Sequence, residues 1–88
     1  MVIGLRKVLR RMAEFLVVYD YGTGGIWGYA TAPSADVIKR LLPDLEVVEE
    51  RPAWMDDETE RRARQFSSFV AGDEATYPDW VRHLINRG

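Results

Sequence analysis

There is no cysteine in this chain, which excludes disulfides and thiolate metal sites and suits a reducing cytoplasm, the location expected here. A single histidine rules out a metal site built on several imidazoles. No apolar run approaches the ~18 residues that a membrane-crossing helix needs, so no transmembrane segment is expected. Internal repeats and low-complexity tracts are missing too. Positive charge is scarce outside one end. The first twelve residues hold Arg6, Lys7, Arg10 and Arg11 and no acid, which leaves −6 on the remainder of a chain whose formal net charge is −2. A mildly acidic body argues against a general nucleic-acid-binding surface, because neutralising phosphates takes a clustered basic face.

What is present suffices for one small domain. Eighty-eight residues bury only about 60–65% of their unfolded surface, so the core is limited and self-association adds stability where it occurs. Residues 1–12 read as a basic extension ahead of a single α+β domain at residues 13–88. Leu5, Val8, Leu9 and Met12 sit at helical spacing between the cations. No apolar stretch of signal-peptide length follows those cations. An amphipathic helix for a membrane surface is the other reading, but a segment under four turns is marginal in water by itself.

The centre of the sequence is EFLVVYDYGTGGIWGYATA, residues 14–32. Residues 15–21 are almost all β-branched, aromatic or aliphatic, and residues 26–31 carry Ile, Trp, Tyr and Thr, the types that fit a pleated, half-buried surface. Between them Gly22, Thr23, Gly24 and Gly25 supply positions that take positive φ without steric cost, as a tight turn requires. With Tyr21 facing Ile26, the hairpin puts Phe15, Val17, Tyr19 and Tyr21 on one face with Ile26, Gly28, Ala30 and Ala32. Leu16, Val18 and Asp20 share the other with Trp27, Tyr29 and Thr31. Tyr19 then lies over Gly28. Both faces of the first strand are apolar, which marks it as central and buried on two sides.

Pro33 and Ser34 announce a helix, with Ser34 as N-cap, Asp36 at the positive end of the dipole, and Val37, Ile38, Leu41 and Leu42 as its apolar stripe. Pro43 stops it. Residues 44–50 read as a third strand, its acids Glu46, Glu49 and Glu50 suited to an edge. Trp54 then reads as a plug for one end of the core. Residues 56–71 read as the longest helix, with Asp57–Arg61, Glu58–Arg62 and Glu60–Arg64 as i,i+4 ion pairs and Thr59, Ala63, Phe66 and Val70 as the buried stripe. Gly72 follows as its C′ residue. Thr76, Tyr77 and Pro78 open a last helix carrying Trp80, Val81, Leu84 and Ile85. The expected fold is therefore α+β, ββαβαα. Its three-stranded sheet has order 2-1-3, with a right-handed crossover from the second strand to the third.

No residue cluster amounts to a named chemistry, and no cofactor is implied. The glycine turn joins two strands, whereas phosphate loops sit between a strand and a helix N-terminus. The acids Asp56, Asp57, Glu58 and Glu60 lack the spacing of a calcium loop and stand where a helix N-terminus favours negative charge. His83 has only Asp79 at helical reach, a structural pair. The aromatic residues are more informative. Trp27, Tyr29, Tyr19, Asp20 and Trp54 are the candidate binding residues, because Trp and Tyr are enriched where proteins meet. The function expected is a small non-enzymatic interaction module, homodimeric, that binds a protein partner or a small ligand. A small enzyme or ligand-binding subunit with its site beside the glycine turn is the alternative. An adaptor using the basic N-terminus on nucleic acid or membrane comes third.

Overall fold

The structure, a computed structural model, describes residues 12–86. The basic extension read at residues 1–12 thus lies, apart from Met12, outside the described residues. In order the elements are β1 (Ala13–Asp20), β2 (Gly25–Ala32), α1 (Ala35–Leu41), β3 (Glu46–Val48), α2 (Asp57–Phe66), β4 (Ser68–Val70), a 3-10 turn (Glu74–Thr76) and α3 (Asp79–Asn86). The fold is α+β with a mixed sheet of four strands in the order β3-β1-β2-β4. The expected order 2-1-3 is present within it, and the fourth strand corrects the expected three.

That fourth strand comes from the end of the segment read as one long helix. Helix α2 stops at Phe66, where Ser67 takes the C-cap and donates its N–H to the Ala63 carbonyl. The chain then runs parallel to β2, pairing Tyr29 with Ser68 and Thr31 with Val70. Gly28 makes the approach possible: a Cβ there would stand 2.4 Å from the Ser67 carbonyl oxygen and 3.1 Å from the Trp80 ring. The long-helix stripe fails accordingly, since Phe66 is exposed and of its four members only Ala63 is buried. Gly72 does take a positive φ, but it follows β4 rather than a helix.

The hairpin register also differs from expectation, by two residues. Tyr19 faces Ile26 and Val17 faces Gly28, so Tyr19 does not lie over Gly28. A shift of two leaves every side chain on its expected face. Asp20 sets the turn by accepting the Gly22 N–H at 2.8 Å, Gly22 takes φ of 100°, and the Tyr21 N–H reaches the Gly24 carbonyl at 3.1 Å. The strand β3 runs antiparallel to β1 over only three residues, with Val17 facing Val47.

Both faces of β1 are buried, as its sequence required: Leu16, Val17 and Val18 are all inaccessible. On one face Val17, Ala30 and Ala32 pack with Ile38 and Leu42 of the α1 segment, Phe69 of β4, and Val81 and Leu84 of α3. Val17, Ile38 and Val81 are the largest fully buried side chains, each worth about 1.5–3 kcal/mol of hydrophobic burial. The other face carries a smaller core of Leu16, Tyr29, Met55 and Ala63. Helix α1 begins where expected, its Ser34 hydroxyl accepting the Val37 N–H, but Leu41 points outward.

At Val70 the outer edge of β4 is closed from within the chain. Val70 directs its N–H and C=O away from β2, because Ser67 and Ala71 bond to that strand and alternate residues point to opposite sides. The Thr76 hydroxyl accepts the Val70 N–H at 2.8 Å, and the Asp73 N–H donates to the Val70 carbonyl at 3.0 Å.

Candidate functional site

Among the described residues one cleft opens on the α2 face of the sheet, and another is lined from both α1 and α2. The first lies at the turn end of the hairpin and follows from cross-strand rows. Glu46, Val18 and Trp27 form one row across β3, β1 and β2, and Asp20 with Gly25 forms the next row toward the turn. Side chains in one row share a face. Gly25 contributes no side chain, and a Cβ there would come within 2.8 Å of Val18. Beside the bulk of Trp27 this leaves a depression of about 520 Å³, lined by Val18, Asp20, Trp27, Glu46, Val48 and Trp54 with the glycines of the turn.

Trp54 reaches this cleft from the connection between β3 and α2. Its ring meets Trp27 edge-on, with centroids 5.3 Å apart and planes at 75°, a geometry favoured by the ring quadrupoles. It is 61% exposed, so it does not plug the core. Met55, the next residue, takes that role at 2% exposure. Among the described residues the charged groups lining the cleft, Asp20 and Glu46, are both acidic.

The second cleft, of about 530 Å³, lies toward the start of β1 and is lined in part by Glu14, Tyr29, Lys39, Arg51, Glu60 and Arg64. Its wall is a web of ion pairs. Arg51 meets Asp57 at 2.9 Å and Glu60 at 3.4 Å, and Arg64 pairs with Glu14 across the sheet and with Glu60 at 3.9 Å. The Arg64 guanidinium lies 4.1 Å above the Tyr29 ring, and the Tyr29 hydroxyl donates to Glu60. Burial first, then the negative charge of Glu60, raises the Tyr29 phenol above the ordinary tyrosine range. Hydrogen bonding to Glu14 raises Arg64, and hydrogen bonding to Asp57 raises Arg51. Among the described residues lining it, the carboxylates Glu14, Glu49 and Glu60 and the cations Lys39, Arg51 and Arg64 offset one another.

The sequence-derived candidates therefore divide. Trp27, Asp20 and Trp54 converge at the first cleft with Gly22, Gly24 and Gly25. Tyr29 shares their face but lines the second cleft. Tyr19 lies on the opposite face, packed against the larger core with its ring 6.3 Å from Tyr21. Glu46 and Val48 joined the site unforeseen; carrying the hairpin register across to an antiparallel third strand would have found them. No local signal pairs Glu14 with Arg64, fifty residues apart.

Of the ion pairs expected along α2, Glu58–Arg62 forms at 3.2 Å and Glu60–Arg64 at 3.9 Å. Asp57 instead pairs with Arg51. His83 is exposed on α3 without a hydrogen bond to Asp79. Among the described residues no group of three or more His, Asp and Glu side chains is placed to hold a metal ion, and no helix is long and apolar enough to cross a membrane.

Fold and clefts together define a small α+β domain with an exposed aromatic cleft at one end of its central hairpin. No protein-family model, curated protein or solved structure matches the chain.

Proposed function

We propose that this protein is a small non-enzymatic interaction module, homodimeric, that engages its partner through the cleft at the hairpin turn. The observation that carries this reading is Trp54, a large side chain 61% exposed and packed edge-on against Trp27 beside an open depression. An exposed tryptophan on a rigid aromatic base is the kind of residue that dominates interface energetics. Strand edges are poor alternatives: β2 is covered by β4, and β3 presents three residues flanked by acids.

Light scattering on the wild type and on Trp54→Ala at matched concentrations tests this reading. Trp54 lies outside both cores, so circular dichroism should be unchanged while association weakens by roughly 2 kcal/mol, the scale of an interface hot spot. A wild type that stays monomeric to high micromolar concentration overturns the homodimer. A dimer indifferent to the substitution moves its interface elsewhere. The cleft volume also falls in the range of small-molecule sites, which supports the second reading, a ligand-binding subunit with its site beside Gly22, Gly24 and Gly25. Saturable quenching of tryptophan fluorescence by a metabolite, lost in Trp54→Ala, would favour it.

A further inference from the structure

We infer that the occupant of the hairpin-end cleft is the basic stretch at residues 6–11 of a second copy of the chain, exchanged reciprocally across a two-fold axis. This deepens the interaction-module reading and rests on it.

Three observations converge. The first is charge. Among the described residues the cleft is lined by two acids, Asp20 and Glu46, and by no cation, whereas residues 6–11 hold Arg6, Lys7, Arg10 and Arg11 and no acid. The second is surface chemistry. Trp27 and Trp54 present indole rings beside those carboxylates. A guanidinium stacks on an indole face and bonds a carboxylate with its edge, so an arginine side chain satisfies both features at once. The ring faces alone would suit any apolar group; the carboxylates select a cation.

The third is reach. The cleft's two acids, Glu46 facing Val18 and Asp20, stand five and seven residues along β1 beyond Ala13, where that strand starts, about 17 and 23 Å from the point at which residues 1–12 join the sheet. Arg10 and Arg11 precede Ala13 by three and two residues, a span of at most about 10 Å even when fully extended. The chain would also have to double back at Ala13, so neither meets those two acids in its own chain. In a two-fold pair whose β1 strands run antiparallel, the start of each strand lies beside the turn end of the other. Both clefts then receive the partner's arginines by the same operation, as an isologous dimer requires.

A charge swap between copies tests this on the full chain. Glu46→Arg places a cation in the cleft. Arg10→Glu with Arg11→Glu takes residues 6–11 from +4 to zero and puts two acids where the arginines stood. By light scattering each variant alone should associate roughly tenfold or more weakly than wild type, and raised salt should weaken the wild-type dimer. An equimolar mixture of the two should recover association, because in the mixed dimer the substituted position of one cleft meets the two new acids while the other, unsubstituted cleft meets an unsubstituted basic stretch. Circular dichroism checks that each variant is folded, and Glu46→Gln, a milder change, should weaken association in the same direction. Variants that associate as wild type does, or a mixture that recovers nothing, overturn the inference. If Trp54→Ala dissociates the dimer while the charge variants do not, the cleft is still the interface and its occupant is something else. A chain monomeric at every concentration overturns both.

Discussion

At the scale of single residues the fold depends on a side chain that is missing. Gly28 sits in the middle of β2, and the space its Cβ would fill holds the Ser67 carbonyl, with the Ser67 Cβ at 3.0 Å and Trp80 at 3.1 Å. The backbone oxygen belongs to the turn between α2 and β4 and accepts the Tyr29 N–H at 2.9 Å, so it cannot yield without losing that bond. Gly28→Ala should therefore push β4 off the sheet and cost on the order of 1–3 kcal/mol, the usual range for overpacking. Denaturant unfolding measures this, and a variant as stable as wild type would mean that β4 does not pack as described. Sequence reading placed Gly28 correctly on its face but assigned its neighbour wrongly. The partner that explains it lies thirty-nine residues away in the chain, and only β4 reveals it.

Elements were legible where their signals are local. Ser34 and Pro43 bracket α1, Pro78 precedes α3, and the two apolar faces of the first strand mark it as central; all of these follow from adjacent residues. The α2 boundary was misread because Ala63, Phe66 and Val70 keep helical spacing through Ser67 and Ser68. Pairing with β2 overrides that local pattern. Trp54 was misplaced for a similar reason: whether a tryptophan in a connection plugs a core or stands exposed depends on where the connection crosses the sheet. Of the candidate site, the turn and Trp27 were readable, while the contribution of β3 required tertiary knowledge.

The start of α2 gives a pH test. The Asp56 carboxylate accepts the Thr59 N–H at 2.8 Å, and hydrogen bonding to Thr59 holds its carboxyl below the ordinary value. A lowered folded-state value means that its stabilisation is present above the unfolded carboxyl range of about 4 and fades as pH falls through the folded value. Asp56→Asn keeps a cap without an ionisable group, so its Tm should vary less with pH below about 5 than that of the wild type. Asp56→Ala should lower Tm at neutral pH, where Asn does not, because alanine offers no acceptor. Parallel curves for wild type and Asp56→Asn would remove Asp56 from the acid response.

For the whole molecule, every described strand and helix lies between Ala13 and Asn86. A chain begun at Met12 should therefore keep its sheet and both cores, with Tm within about 5 °C of the full chain, equivalent to about 1 kcal/mol at this size. The same truncation should abolish self-association if residues 6–11 bridge two copies. Folding and assembly would thus be separable by one deletion. A large drop in Tm would instead place residues 1–11 against the core.

The hydroxyl of Thr76 bears on what the sheet does in a crowded solution. A β-sheet grows by offering free backbone groups to the next chain, and proteins usually discourage this with charge or proline on the outermost strand. Here Val70 of the edge strand β4 has already spent its outward donor on a threonine oxygen and its outward acceptor on a turn amide, so that position presents no template for polymerisation. Thr76→Val would preserve the shape of the side chain and return the Val70 amide to circulation. Such a chain should form thioflavin-positive fibrils sooner than wild type at equal concentration, even though its native sheet looks the same.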